Sequence, residues 1–173
     1  MIVVNLLGGP GSGKSTGAAY IFSKLKMLGF NCELVTEFAK DKVWEGNTEV
    51  FKNQAYIFGK QYFKLTRVAG KVDVIITDSP LLNSVLYNKD PVLGNNFNSV
   101  VIRAFNTFDN MNYLIKRVKK YNPKGRMQTE GESDLIYNEI LDILEENELG
   151  YTKYDGCEED YDKIVPEVLV CLS

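Results

Sequence analysis

There is no histidine anywhere in these 173 residues. That absence excludes Ser–His and Cys–His nucleophile pairs, His-ligated zinc and any imidazole general base. Cysteine is scarce too. Cys32, Cys157 and Cys171 show no metal-ligand or redox spacing, so they read as reduced thiols of a cytoplasmic protein. No apolar run is long enough to span a membrane, and the first seven residues lack a basic leader. Charge of one sign is not dominant either: the net charge of −3 argues against a protein that coats nucleic acid. Repeats, low-complexity tracts and linkers are missing, which implies one domain over residues 1–173. The chemistry left is that of carboxylates, Lys, Arg, Ser/Thr, Tyr and a metal ion.

What is present begins at Gly8. The run Gly8-Gly9-Pro10-Gly11-Ser12-Gly13-Lys14-Ser15-Thr16 contains G-x-x-x-x-G-K-[ST] from Gly8 to Ser15. A loop that wraps a triphosphate aims several backbone N–H groups inward, which needs residues without a Cβ. Lys14 would then reach the β- and γ-phosphates, and the Ser15 hydroxyl would ligate Mg²⁺. Context separates this from an ordinary turn. Met1–Leu7 is an apolar, β-branched run of buried-strand length. Ala18, Ile21, Phe22, Leu25 and Leu28 recur at helical spacing until Gly29. Strand, loop and helix stand in the order a phosphate-binding loop requires, so a bound nucleoside triphosphate is expected.

Further strands are expected at 32–36, 72–78, 111–115 and 151–154, alternating with helices. That alternation predicts an α/β fold with a parallel sheet covered on both faces. Glu37 ends the second strand, where it either faces the site or opens the next helix; its position at a strand's carboxyl end favours the site. A long helix is expected from Asn47 or Thr48, with the stripe Phe51, Ala55, Phe58, Tyr62, Leu65 and Ala69 in the core. Gln54 and Gln61, seven residues apart beside that stripe, are either ordinary surface amides or a pair able to read a base edge. Asp78 follows four apolar residues at its strand's end, the arrangement that places a carboxylate in the Mg²⁺ shell; a simple Asp78-Ser79-Pro80 turn is the alternative. Residues 81–87 read as helical, 88–96 as a loop, and 99–108 as a helix.

Residues 116–126 then carry six of the twenty basic side chains, interrupted by Pro123 and Gly125. Directly after a strand whose end faces the triphosphate, this run reads as a mobile basic lid over about 117–131. Thr129 and Glu132 have capping-box spacing ahead of Ile136, Ile140, Ile143 and Leu144, which predicts a helix closing the lid. The tail, with Pro166 inside an apolar run, has no clear boundaries.

Taken in order, these motifs resemble the small P-loop kinases of the nucleoside and nucleotide kinase superfamily. The match is with the nicotinamide-riboside-kinase-like group common among phage-encoded kinases. The residues that carry it are Gly8–Thr16, Val35–Lys40, the Gln54/Gln61 helix, Ile75–Pro80 and Tyr121–Gln128. The resemblance implies a five-stranded sheet in the order 2-3-1-4-5 and transfer of the γ-phosphoryl of ATP to a nucleoside, nucleotide or related small molecule. It implies Glu37 as acceptor ligand or base, Asp78 at the metal, and Arg117 and Arg126 as lid arginines. Many members have an arginine where this chain has Ser79 after Asp78. With only four arginines in all, the acceptor group is expected to be a hydroxyl rather than a phosphate. Two rivals stand beside this reading: a kinase for a hydroxyl carried by DNA or RNA, and a regulatory switch that only binds and hydrolyses nucleotide.

Overall fold

The computed structural model describes residues 1–47, 49–124 and 126–172. Five strands form one sheet in the order β2-β3-β1-β4-β5, and every neighbouring pair is parallel. They are β1 (Ile2–Leu7), β2 (Cys32–Val35), β3 (Val74–Thr77), β4 (Asp109–Lys116) and β5 (Thr152–Asp155). All six residues of β1 are buried, as expected for the centre of a parallel sheet with helices on both faces.

Alternation along β1 supplies both halves of the core. Val4 and Leu6 face α1 (Lys14–Met27) and α7 (Glu158–Leu172), packing with Ile21, Leu25, Ile164 and Val168. Val3 and Leu7 face the other layer, built from α3 (Gln54–Thr66), α4 (Asn83–Leu86), α5 (Gly94–Phe105) and α6 (Glu130–Glu146). Each fully buried aliphatic side chain contributes roughly 1.5–3 kcal/mol, so the sheet and these helices form the rigid part of the molecule. Asn5 is the polar exception in β1. Its amide donates to the side chains of Asn110 (2.9 Å) and Asn112 (3.0 Å), which satisfies a buried group in mid-sheet. By contrast α2 (Phe38–Trp44) buries none of its residues. Among the described residues no helix is long and apolar enough to cross a membrane.

Several boundaries differ from those expected. The helix anticipated from Asn47 or Thr48 is a 3₁₀ turn over Glu49–Lys52 followed by α3; Thr48 lies outside the described residues. The cause is Asn53, whose side chain accepts from the Tyr56 N–H at 2.9 Å and starts α3 afresh. Helix α5 begins at Gly94 rather than near Ser99, because the Asp90 carboxylate accepts from the Val92 and Leu93 N–H groups. Thr129 and Glu132 form the expected capping box on α6. The tail is a helix that carries Pro166 in its interior, packed through Tyr161, Ile164, Val165 and Val168.

Candidate functional site

The carboxyl ends of β1, β2, β3 and β4 open on one edge of the sheet, and a cavity of about 600 Å³ lies there. At its floor the chain leaves β1 through Gly8–Gly13 and turns into α1. Two glycines show why the loop has this composition. Gly8 has φ 142°, and a Cβ on it would collide with the Ile115 carbonyl of β4. Gly11 has φ 81° and lies under the ring of Tyr121. The loop is also braced from outside. The Ser133 hydroxyl of α6 donates to the Pro10 carbonyl (2.7 Å), and the Tyr161 hydroxyl of α7 donates to that of Gly13 (3.0 Å).

Within this frame the Lys14 ammonium donates to the carbonyls of Gly8 (2.7 Å) and Gly9 (3.0 Å). Burial lowers its pKa below the ordinary lysine value; the charges of Glu37 and Asp78 oppose that, while Arg126 and Lys40 reinforce it. The Ser15 hydroxyl donates to Asp78 Oδ2 at 2.5 Å, and Asp78 Oδ1 accepts from the Glu37 N–H at 3.2 Å. One carboxylate therefore joins the start of α1 to the end of β2. Burial pushes the Glu37 carboxyl above the usual range; Lys14 pulls it back and Asp78 pushes it further. Ser15, Asp78 and Glu37 form a set of hard oxygens, the donor type that suits Mg²⁺. The buried Ser12 hydroxyl, in the same loop, has no hydrogen-bond partner among the described residues.

Of the residues singled out in the sequence, Gly8, Pro10, Gly11, Gly13, Lys14, Ser15, Thr16, Glu37, Gln54, Gln61, Asp78 and Arg126 line the cavity. Gly9 and Ser12 stand behind the loop; Gly9 is pressed against the backbone of Ser133. Arg117 is the departure. It makes two ion pairs, with Glu130 (2.6 Å) and Asp134 (2.7 Å), and is not among the residues lining the cavity. It leaves β4 beside the acidic first turns of α6, which claim its guanidinium. Gly125, within the expected lid, lies outside the described residues.

The two glutamines do not act alike. Gln61 Oε1 accepts from the Phe38 N–H (3.1 Å), and its Nε2 donates to the carbonyls of Ser79 (3.1 Å) and Thr36 (3.5 Å). Its amide is committed to the backbone and ties the end of β2 to the loop after β3, which is neither of the two readings open from the sequence, a surface amide or a reader of a base edge. Gln54 donates to the Phe51 carbonyl (3.2 Å) and lines the cavity. Gln61→Ala is expected to lower stability by about 2–4 kcal/mol, since buried backbone groups on two segments lose their partner. Urea denaturation checks this, and an unchanged midpoint would contradict the bracing role.

Sequence reasoning missed much of the wall. Trp44, Phe51, Asn83 and Tyr87 come from three separate stretches and line the cavity with Glu37; Lys119, Lys120 and Lys124, from the run expected as a basic lid, line it with Arg126. Burial holds the Tyr87 hydroxyl well above the ordinary tyrosine value, with Glu37 adding to the shift, so it is a neutral donor.

No protein-family model matches the chain, and neither does any of the curated proteins. Solved structures do. The NadR protein in complex with NR superposes with a TM-score of 0.75 at 17% identity, over 96% of this chain and 50% of that one. This chain thus spans half the length of that protein. Thymidylate kinase from Ehrlichia chaffeensis gives 0.60 at 14% identity, covering 99% and 98% of the two chains. Deoxyadenosine kinase from M. mycoides with bound dATP gives 0.55 at 19%, covering 98% of each. At these identities the likeness is one of fold: a five-stranded parallel sheet with helices on both faces.

Proposed function

We propose that this protein is a Mg²⁺- and ATP-dependent phosphotransferase that moves the γ-phosphoryl group to a hydroxyl of a small acceptor of the nucleoside class. The observation that supports it most is the single cavity shared by two unlike walls. One wall is the phosphate-binding loop with Lys14 and Arg126. The other offers a carboxylate, Glu37, among neutral polar and aromatic side chains: Gln54, Asn83, Tyr87, Trp44 and Phe51. Arg67 and Arg103, which would serve an acceptor phosphate, do not line it.

Glu37 would take the proton of the acceptor hydroxyl as its oxygen bonds to the γ-phosphorus and the bond to the β–γ bridging oxygen breaks, releasing ADP. Tyr87 would orient the acceptor as a hydrogen-bond donor. Lys14 would exchange its two loop carbonyls for phosphate oxygens, and Arg126 would meet the charge on the transferring group. Ser15 and Asp78 would hold Mg²⁺, which supplies charge neutralisation across the β- and γ-phosphates.

The raised pKa of Glu37 sets the pH dependence. A base must be deprotonated, so activity is expected to fall on the acid side at a pH above the usual carboxylate range. The stability sign is opposite: burying the charged form means that Glu37's contribution is present below its unfolded pKa and lost as pH rises through the folded value. Glu37→Gln should remove the acid limb together with most of kcat. Nucleoside and nucleoside-monophosphate acceptors, compared on wild type and Glu37→Gln, test the assignment. Preference for the monophosphate with Glu37→Gln nearly as active would reject both the base and the hydroxyl acceptor.

A further inference from the structure

Helix α3 has two faces with different occupants. Its inner face carries Gln54, Gln61 and Leu65 into the protein. Its outer face shows Tyr56, Gly59, Lys60, Phe63 and Arg67, at helical spacing and all exposed. Phe63 is 65% exposed and Tyr56 42%, both large planar side chains. The stripe continues toward the cavity: the Tyr56 ring meets that of Phe38 on α2 at 5.7 Å, and Trp44, 68% exposed, stands at the cavity wall. Cations alternate with these rings. Lys60 lies 5.4 Å over Tyr56 and Lys42 lies 5.5 Å over Phe38.

Charge singles this surface out. Residues 50–72 hold Lys52, Lys60, Lys64, Arg67 and Lys71 with no acidic residue, in a chain whose net charge is −3. Lys52 is paired with Glu49, Lys42 with Glu45, and Arg67 stands 4.0 Å from Glu33. Lys60 has no ion pair among the described residues; Lys64, half-buried at the edge of this face, has none either and donates to the Thr36 carbonyl at 3.0 Å. Gly59 adds an independent observation. It sits on the exposed face between Tyr56 and Phe63, and a Cβ there would meet nothing within 4 Å. A mid-helix glycine carries a stability penalty relative to alanine, and no group among the described residues requires the space.

We propose that this face of α3, extended by Phe38 and Trp44, is a docking surface for single-stranded nucleic acid. Its rings would stack on bases, Lys60 would meet phosphates, and Gly59 would let the strand approach the helix backbone. A second copy of the chain fits less well, because a two-fold interface would set this cationic face against itself. A lipid surface is the competing occupant for exposed rings beside lysines, and the anionic-vesicle control separates the two. The surface shares only Trp44 with the proposed acceptor wall, and the variants below lie outside the cavity lining, so its binding does not depend on the phosphotransferase reading.

The test is fluorescence anisotropy of the full chain with a labelled oligothymidylate of about fifteen nucleotides. Controls are a duplex of equal length and anionic vesicles, with sedimentation to report self-association. Binding to the single strand is expected to exceed that to either control, with the protein monomeric at the concentrations used. Phe63→Ala should weaken it by about tenfold. Lys60→Ala should reduce the slope of log affinity against log salt by about 0.7. Gly59→Gln should also weaken binding, and Gly59→Ala should raise the melting temperature. Circular dichroism and retention of an ATP analogue show that each variant is folded. Absence of single-strand binding at low salt would overturn the proposal. So would an affinity indifferent to both Phe63→Ala and Gly59→Gln, stronger binding to duplex or vesicles, or a dimer that covers Phe63.

Discussion

Lys14→Ala is expected to fold normally and to lose phosphoryl transfer. The side chain is enclosed by the loop, where burial lowers its pKa and its ammonium is held by the Gly8 and Gly9 carbonyls. Removing it deletes two hydrogen bonds but also relieves a desolvated charge, so the two effects on stability largely offset. Catalysis has no such compensation. A preorganised charge aimed at a transferring phosphoryl group acts in a water-poor site, and losing one such donor costs roughly a hundred- to a thousandfold in kcat. Lys14→Arg should not restore the rate, because a planar fork cannot replace a compact ammonium inside this loop. Thermal unfolding and turnover, measured on the same samples, separate the two effects; wild-type turnover in Lys14→Ala would remove Lys14 from the reaction.

The second large effect is expected at Arg126. Its guanidinium lines the cavity and lies 5.6 Å from the Tyr121 ring centroid, while that ring covers Gly11 and its hydroxyl donates to the Gln128 carbonyl. Tyr121 thus seats Arg126 above the loop. An arginine that meets transition-state charge is worth on the order of a thousandfold in rate. Arg126→Ala should therefore lower kcat by that order with ATP affinity little changed. Arg117→Ala should do far less, since its guanidinium is held by Glu130 and Asp134 and partly exposed ion pairs contribute little. The reverse ranking would mean that Arg117 leaves those partners during turnover and takes the role assigned to Arg126.

What could be read from the chain was whatever depends on near neighbours. The loop from Gly8 to Ser15 is a local spacing between an apolar strand and an amphipathic helix, and the sheet order follows the resemblance those motifs carry. The Thr129–Glu132 cap is likewise local. The start of α3 was misjudged because Phe51 and Ala55 continue the helical spacing across Asn53, and only the cap at Tyr56 reveals the break. The pairing of Arg117 was not legible for a different reason. Its partners lie 13 and 17 residues further on, and nothing near it in sequence indicates that they will claim it. The bracing by Gln61 joins segments 18 to 25 residues away, so its periodicity beside Gln54 suggested a shared role that the fold divides. The cavity wall around Glu37 was illegible because Trp44, Phe51, Asn83 and Tyr87 meet only once three separate stretches have packed.

The measurement that tests the central claim most directly is the fate of label from [γ-³²P]ATP, followed with Mg²⁺ and a panel of nucleoside acceptors. The account predicts label on an acceptor hydroxyl in amounts equal to the ADP formed, little release as phosphate, and loss of both products in Lys14→Ala. Label appearing only as inorganic phosphate, at a rate indifferent to every acceptor, would contradict it and identify a nucleotide-hydrolysing switch instead.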